Sequence, residues 1–106
     1  MKNLSQNEWQ DAVANNKDAV VIDVRTIEEC RMGMIENAIR LDITQTELFI
    51  EEIQKMDKSK DYYLYCAAGG RSGTACAIMY ELGFENVFNL IGGFSCWCGN
   101  TVQNAE

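Results

Sequence analysis

The sequence predicts an α/β fold in which a small, mostly parallel sheet of about five strands carries helices on both faces. Short apolar runs typical of buried strands alternate along the chain with segments whose apolar residues recur at helical spacing. Alternating strands and helices join through right-handed crossovers, which place the strands parallel to one another. The chain has 106 residues, of which 47% are hydrophobic, and this is enough for one small core. We therefore expect one domain over residues 1–106.

The first part of the chain predicts a helix, a buried strand and a second, shorter helix. A capping box that begins at Ser5 opens an amphipathic helix over residues 5–15. The continuous β-branched run 19–24 is typical of a strand covered on both faces. A second capping box begins at Thr26, and the helix that it opens is expected to stop near Gly33.

The second part of the chain continues the alternation. Residues 38–43 predict a short strand, and a third capping box, Thr44 with Glu47, predicts a helix that runs to about Met56. The remaining predicted elements are a strand that ends at Tyr65, a helix over 72–81 closed by Gly83, a strand over 87–91 and a short helix around 95–98.

Composition excludes several classes of partner. Nine Lys and Arg against 16 Asp and Glu give a net charge of −7, which argues against nucleic acid and anionic membranes as partners. No run approaches the roughly 18 apolar residues that span a bilayer, and the first residues lack the apolar region of a secretory signal. Five cysteines are an odd number, which favours reduced thiols over a disulfide framework. We expect a cytoplasmic protein, as a monomer or weak homodimer.

The chain contains no histidine. Catalysis by Ser-His-Asp or Cys-His groups is therefore excluded, and the commonest metal ligand is missing. The one-residue spacer between Cys96 and Cys98 differs from the two-residue spacer of zinc knuckles. We predict neither a metal site nor a cofactor.

The most informative segment joins the strand that ends at Tyr65 to the helix that follows. A free thiol has a pKa of about 8.5, so a catalytic cysteine needs groups that stabilise its thiolate. Loop amides, the unpaired N–H groups of the next helix and one arginine can do so, and the two glycines permit positive φ angles. The segment predicts a thiolate inside an anion cradle, formed by Cys66, Ala67, Ala68, Gly69, Gly70, Arg71 and Ser72.

This loop resembles the active-site loop of the rhodanese family, in which a cysteine is followed by two residues, glycine, one residue, arginine and serine. Two further family signatures are matched by residues 21–25 with Glu28 or Glu29, and by residues 90–93 with Trp97. The order and spacing of all three agree, and the resemblance covers residues 4–99. It implies a rhodanese-like fold.

The resemblance also implies a sulfurtransferase. Cys66 would be the nucleophile that takes a sulfane sulfur from thiosulfate or another persulfide, and would pass it to a small-molecule or protein thiol or to a cyanide-type acceptor. The amides of residues 67–72 would form the substrate-binding cradle, and Arg71 would close the loop and orient an anionic donor. No histidine is required, because the nucleophile is already ionised.

The chain departs from the family pattern between the signature at residues 21–25 and the loop that begins at Cys66. Rhodaneses often carry a run of glycine, histidine, isoleucine, proline, glycine and alanine at this place. Here the run reads Gly33, Met34, Ile35, Glu36, Asn37 and Ala38. The resemblance therefore does not determine the shape of the pocket rim or the substrate, whereas the nucleophile is unaffected.

Two other functions remain open. The first is a rhodanese-fold module that binds a protein partner, or relays a persulfide to it, without turnover. The second, less favoured, is a cysteine phosphatase or arsenate reductase. Those sites have five residues between the cysteine and the arginine, whereas four separate Cys66 from Arg71. The shorter ring suits one added sulfur atom better than phosphate.

Three residues outside the loop are expected to stabilise the fold and not to take part in the reaction. The carboxylate of Asp23 and the guanidinium of Arg25 are expected to hydrogen-bond neighbouring backbone and to shape the loop that follows their strand. Trp97 is expected to pack near the active-site loop as a core aromatic.

The other thiols divide into two groups. Cys30 and Cys76 lie within predicted helices and are expected in the core. Cys96 or Cys98 could resolve a Cys66 persulfide into a disulfide, which would make the site sensitive to oxidation.

Overall fold

The structure, a computed structural model, describes residues 2–103. Its elements are β1 (Lys2–Leu4), α1 (Gln6–Ala14), β2 (Val20–Asp23), α2 (Ile27–Cys30), β3 (Met34–Ile35), β4 (Ile39–Arg40), α3 (Thr46–Gln54), β5 (Asp61–Tyr65), α4 (Gly70–Glu81), β6 (Asn86–Leu90), a 3₁₀ helix (Phe94–Cys96) and β7 (Thr101–Val102). The predicted α/β fold is confirmed.

The main sheet has five strands in the order β1-β6-β5-β2-β4, and every neighbouring pair is parallel. A second, two-stranded sheet pairs β3 with β7 antiparallel. Strand β5 occupies the centre of the main sheet, so the residue that follows it lies at the carboxyl edge between neighbouring strands. In parallel sheets this edge is where ligands bind.

Side chains of β5 alternate between two hydrophobic cores. Tyr62 and Leu64 point to a core that also holds buried residues of α3 and α4. Tyr63 and Tyr65 point to the opposite core, which contains Trp9 of α1. The helices therefore cover both faces of the sheet, as the sequence predicted. Cys66 belongs to the core beneath α4.

Two of the three predicted capping boxes form. The side chains of Ser5 and Thr26 accept hydrogen bonds from the backbone at the starts of α1 and α2. The third prediction is wrong, because the Thr44 N–H and hydroxyl both donate to the carboxylate of Asp42. Helix α3 instead begins at Thr46. A local turn with a nearer acceptor competes successfully with the cap.

Three short strands had no clear sequence signal. Strands β1, β3 and β7 have two or three residues each, too few to show a hydrophobic period. Strand β4 covers only Ile39–Arg40 and is shorter than the predicted 38–43. Helix α4 begins at Gly70, two residues before the predicted start at Ser72.

The segment that departs from the rhodanese pattern keeps a glycine-like backbone. Asn37 stands where that pattern has its second glycine, and its φ is +69°. Asparagine is one of the few residues with a side chain that tolerate this left-handed conformation. The substitution therefore preserves the turn that follows β3.

Candidate active site

Cys66 lies at the carboxyl end of β5 and is 1% exposed. Its sulfur accepts a hydrogen bond from the Gly69 N–H at 3.0 Å and lies 3.4 Å from the Ser72 hydroxyl oxygen. Gly69 has a φ of +112°, a conformation that glycine adopts without a steric penalty. This turn brings the loop back over the sulfur.

The electrostatic balance at the sulfur favours the thiolate. Burial by itself raises the pKa of the Cys66 thiol, because a buried charge loses its hydration. Hydrogen bonds from the amides of Ser72, Gly69 and Ala68, together with that of the Ser72 hydroxyl when it points to the sulfur, outweigh burial and hold the pKa below its ordinary value. Ser72 belongs to the first turn of α4. The cradle therefore combines loop amides with a helix N-terminus.

The remaining loop residues have different surroundings. The Ala67 carbonyl accepts a hydrogen bond from the Ser95 N–H at 2.9 Å. Gly70 is exposed, and a Cβ built there would have no atom within 4 Å. Ala68 is also exposed. Only small groups therefore cover the outer side of the loop at these two positions.

A segment after β6 holds the loop through hydrogen bonds to its first two carbonyl groups. The Cys66 carbonyl accepts a hydrogen bond from the Phe94 N–H at 2.8 Å. Gly93 makes this approach possible, because a Cβ there would lie 2.5 Å from the Cys66 oxygen and 2.6 Å from the Ala67 oxygen. We call residues 93–95 the backing segment. It turns the first two loop carbonyls away from the sulfur.

Arg71 forms a bidentate ion pair with Glu29. Its Nη1 and Nη2 atoms lie 2.7 and 2.8 Å from the two carboxylate oxygens. Hydrogen bonds from Arg71 lower the pKa of Glu29 to about 2, and the same contact raises the pKa of Arg71. Glu29 also caps α2 through Thr26. The sequence singled out both residues but did not show that they are partners.

Asp23 and Arg25 form a buried ion pair that supports the backing segment. Arg25 Nη2 donates to Asp23 at 2.7 Å and to the Gly33 carbonyl at 2.7 Å. Its guanidinium lies 4.3 Å from the ring centroid of Phe94. These contacts hold neighbouring backbone and an aromatic ring, in agreement with a structural interpretation of the pair.

Asn89, a buried polar residue in β6, is a further member of the site that the sequence motifs did not indicate. Its side-chain oxygen accepts a hydrogen bond from the Ser72 hydroxyl, which also lies near the Cys66 sulfur. An asparagine inside the apolar run 87–91 was the available signal, since a polar residue in a buried strand needs partners.

The other cysteines differ from Cys66. Cys30 and Cys76 are fully buried, and burial raises the pKa of each thiol to about 12. Cys96 and Cys98 are exposed, and all five thiols are free. Cys30 and Cys76 lie in the core, as expected from their helical positions.

Trp97 packs away from the Cys66 core. It contacts the cluster around Trp9 on the α1 side of the sheet, whereas Cys66 belongs to the cluster beneath α4. Trp97 and Trp9 also line a half-open cavity of about 340 Å³. Trp97 thus packs on the α1 side of the sheet, together with Phe94 of the backing segment, and a contact of its ring with the active-site loop stays a prediction.

Residues 2–103 contain neither a metal-binding cluster nor a membrane-spanning helix. Within this range, no cluster of three or more Cys, Asp or Glu side chains has the proximity to hold a metal ion. No helix in the same range is long and apolar enough to cross a bilayer.

Comparison with known proteins decides the family. Residues 5–100 match the family model of the rhodanese-like domain. The chain belongs to the rhodanese-like family. The resemblance read from the three sequence signatures is thereby confirmed.

Individual rhodanese-like relatives carry two kinds of name. A protein of Allochromatium vinosum named "Sulfurtransferase" is 35% identical over 80% of this chain and 77% of its own length. A "tRNA uridine(34) hydroxylase" of Cytophaga hutchinsonii is 36% identical, and its match covers 87% of this chain but 30% of its own length. This chain thus corresponds to less than a third of the hydroxylase.

Solved structures show the same rhodanese fold. The crystal structure of a rhodanese-like domain protein from Staphylococcus aureus superposes with a TM-score of 0.85 at 26% identity. The match covers 99% of this chain and 100% of the other. This chain therefore shares its overall fold with a solved rhodanese-like domain.

Proposed function

We propose that this protein is a sulfurtransferase in which Cys66 carries a sulfane sulfur as a persulfide. The observation that carries the proposal is the position of the Cys66 sulfur, 3.0 Å from the Gly69 N–H inside a cradle that lowers its pKa. A thiolate is the form of cysteine that attacks sulfur. The sulfurtransferase name of a relative that matches most of this chain adds support.

The reaction has two balanced steps. In the first, the Cys66 thiolate attacks the outer sulfur of the donor and the donor S–S bond breaks. Sulfite leaves when the donor is thiosulfate, and a thiolate leaves when it is a persulfide. In the second step, an acceptor thiolate or cyanide attacks the terminal sulfur and the Cys66 thiolate leaves. No oxidant, reductant or imidazole takes part.

The same hydrogen bonds serve both steps. They stabilise negative charge on Cys66 before attack, and again when Cys66 leaves. Between these moments the terminal sulfur carries the charge, and the amides of the substrate-binding loop lie around it. The exposed residues Ala68 and Gly70 have small side chains or none, so either a small donor such as thiosulfate or a thiol carried on a protein has room to approach.

The proposal gives Arg71 a supporting role in donor binding. Two of its guanidinium nitrogens are already engaged by Glu29, which neutralises much of its charge. A thiosulfate dianion would therefore depend mainly on loop amides, and a persulfide donor, with less charge to neutralise, fits the same site. Both donor classes belong to the proposal.

Mass spectrometry of the intact protein tests the proposal. After exposure to thiosulfate, or to an alkyl persulfide, the protein should gain one sulfur atom that cyanide removes. Peptide mapping should place it on Cys66, and Cys66→Ser should gain none. Cys96→Ser is the matched control, because it removes an exposed thiol outside the cradle. Absence of a Cys66 adduct with both donors would contradict the proposal.

Turnover distinguishes the enzyme from its alternatives. Repeated transfer to cyanide or to a small thiol supports an enzyme, whereas a single loading that only a protein thiol can discharge indicates a relay module. Hydrolysis of an aryl phosphate that depends on Cys66 would instead indicate a phosphatase.

A further inference from the structure

The Ser72 hydroxyl has three acceptors and one proton. The Cys66 sulfur lies 3.4 Å from its oxygen, and the Gly69 carbonyl lies 3.3 Å away. The side-chain oxygen of Asn89 is in closer contact than either. Because a hydroxyl donates one hydrogen bond at a time, a bond to Asn89 withholds the proton from Cys66.

The orientation of the Asn89 amide follows from its other partners. Its nitrogen lies 3.0 Å from the side-chain oxygen of Asn3 and 3.4 Å from the Gly69 carbonyl. A carbonyl only accepts hydrogen bonds, so the amide nitrogen faces Gly69 and the amide oxygen faces Ser72. Asn89 is 7% exposed. It therefore competes for the Ser72 proton in a site with little access to water.

We propose that Asn89 is a positioning residue that determines whether the Ser72 hydroxyl donates to the Cys66 sulfur. While Ser72 donates to Asn89, backbone amides alone hold the sulfur. When the hydroxyl rotates, the sulfur gains a further donor. This inference rests on the proposed sulfurtransferase function and assigns Asn89 a part in it.

Two positions of one hydroxyl match the two steps of sulfur transfer. An attacking thiolate is more nucleophilic when fewer donors stabilise it, whereas a leaving thiolate departs faster when more donors stabilise it. Asn89 holds the proton during attack, and rotation of the Ser72 hydroxyl supplies it when Cys66 leaves. The backbone amides stabilise the thiolate in both steps, and a hydroxyl that rotates adds a further donor only in the step in which Cys66 leaves.

The charged surroundings of Cys66 stay constant when Asn89 is replaced by alanine or leucine, whereas Asn89→Asp adds a negative charge that also disfavours the thiolate. Arg71 and Cys76, both on α4, interact electrostatically with Cys66. Arg71 is also influenced by Glu29 of α2 and by Asp42 beyond β4. Asn89 is neutral, and its replacement by alanine changes no charge.

The test is the rate at which iodoacetamide alkylates Cys66, followed by peptide mapping at several pH values. Below the pKa of Cys66, this rate reports the thiolate fraction. Asn89→Ala should raise the rate about twofold, because Ser72 is released to donate to Cys66: one hydrogen bond raises the thiolate fraction about fivefold, and the lower nucleophilicity of the stabilised thiolate offsets part of that gain. Ser72→Ala by itself should change the rate little, because the wild-type hydroxyl donates to Asn89 and not to the sulfur during attack. In the double variant, the gain from Asn89→Ala should vanish.

Two further variants at position 89 complete the test. Asn89→Asp keeps an oxygen acceptor beside Ser72 and should give no gain in rate. Asn89→Leu has the same branching and the same number of side-chain heavy atoms as asparagine, and it replaces the alanine variant if that protein does not fold. The Gly69 carbonyl keeps the Gly73 N–H as a donor in every variant.

A slower alkylation of Asn89→Ala, or an equal gain in the Ser72→Ala background, would overturn the inference, since Asn89 would then act through the shape of the loop. Alkylation needs no sulfur donor. A protein that accepts no sulfur on Cys66 therefore contradicts the proposed function, while the alkylation rates separately decide the role of Asn89.

Discussion

Cys66 and Cys76 lie in the same core, but their thiol pKa values are shifted in opposite directions. Both are buried, with exposures of 1% and 0%, and both belong to the cluster beneath α4. The pKa of Cys66 is lowered, whereas burial raises the pKa of Cys76 to about 12. Cys66 precedes the N-terminus of α4, where amide N–H groups have no helical partner, and Cys76 lies inside the helix, where those groups are engaged. Burial therefore makes an inert thiol unless donors converge on it.

Removal of each thiol gives the largest expected difference. Cys66→Ser should reduce sulfur transfer by about a thousandfold or more, because a hydroxyl has no accessible anionic form to attack sulfur. Cys76→Ala should retain transfer and lose only packing. The measurement is transfer from thiosulfate to cyanide, with melting temperatures for both variants. Equal losses of sulfur transfer in the two variants would contradict the assignment of Cys66 as the nucleophile.

The pH dependence of the two thiols gives the second test. The reactive form is the thiolate, so the rate of sulfur loading should rise about tenfold per pH unit below the pKa of Cys66 and level off above it. Because that pKa is lowered, the plateau should begin below the pH at which a free cysteine peptide ionises. Alkylation mapped to Cys76 should remain negligible through the same range, in line with its pKa of about 12. If the pH profile of Cys66 loading coincided with that of a free cysteine peptide, the pKa of Cys66 would not be lowered and the prediction would be wrong.

The backing segment offers a way to weaken the cradle without altering a thiol. Gly93→Ala puts a Cβ 2.5 Å from the Cys66 carbonyl oxygen, at a φ of +59°. We expect a loss of about 1–3 kcal/mol of unfolding free energy and slower loading of Cys66.

Gly70→Ala is the matched control for this glycine. A Cβ at Gly70 meets no atom within 4 Å and needs no unusual φ, and alanine favours a helical turn. Denaturant unfolding should show no loss of stability. A destabilisation equal to that of Gly93→Ala would mean that the backing segment has no special part in shaping the loop.

The ion pair between Glu29 and Arg71 gives the smallest expected effect. Both side chains are about one-third exposed, so Glu29→Gln should cost only ~0.5–1 kcal/mol at neutral pH. The folded-state pKa of Glu29 is about 2, below its ordinary value of 4.5. The ion pair therefore stabilises the protein above that ordinary value, and its contribution is lost as the pH falls from 4.5 to about 2.

Urea unfolding at neutral and acid pH measures this contribution. Glu28→Gln is the control, because it removes a charge from a neighbouring exposed residue. The two variants should differ at pH 7 and converge near pH 2. If thiosulfate binding improves in Glu29→Gln, the released charge of Arg71 has become available to the anionic donor.

Local signals were read correctly where neighbouring residues decide the structure. The caps at Ser5 and Thr26 depend on a residue three positions away, and both form. Thr44 follows the same pattern but is bound by Asp42, two residues before it. Strand β1 escaped prediction because its three residues are defined by pairing with β6, more than 80 residues later. Prediction failed where a competing or distant partner decided the outcome.

The sequence by itself determined the α/β class, the family and the loop that begins at Cys66, because these depend on residue order and short spacings. Only the tertiary structure decided which distant groups meet that loop. Glu29 reaches Arg71 from α2, Gly93 lets the backing segment approach, and Asn89 meets Ser72 from β6. The physical reason is that hydrogen bonds and ion pairs act over a few ångströms in space, and residues far apart in the chain come within that range only after the sheet has formed.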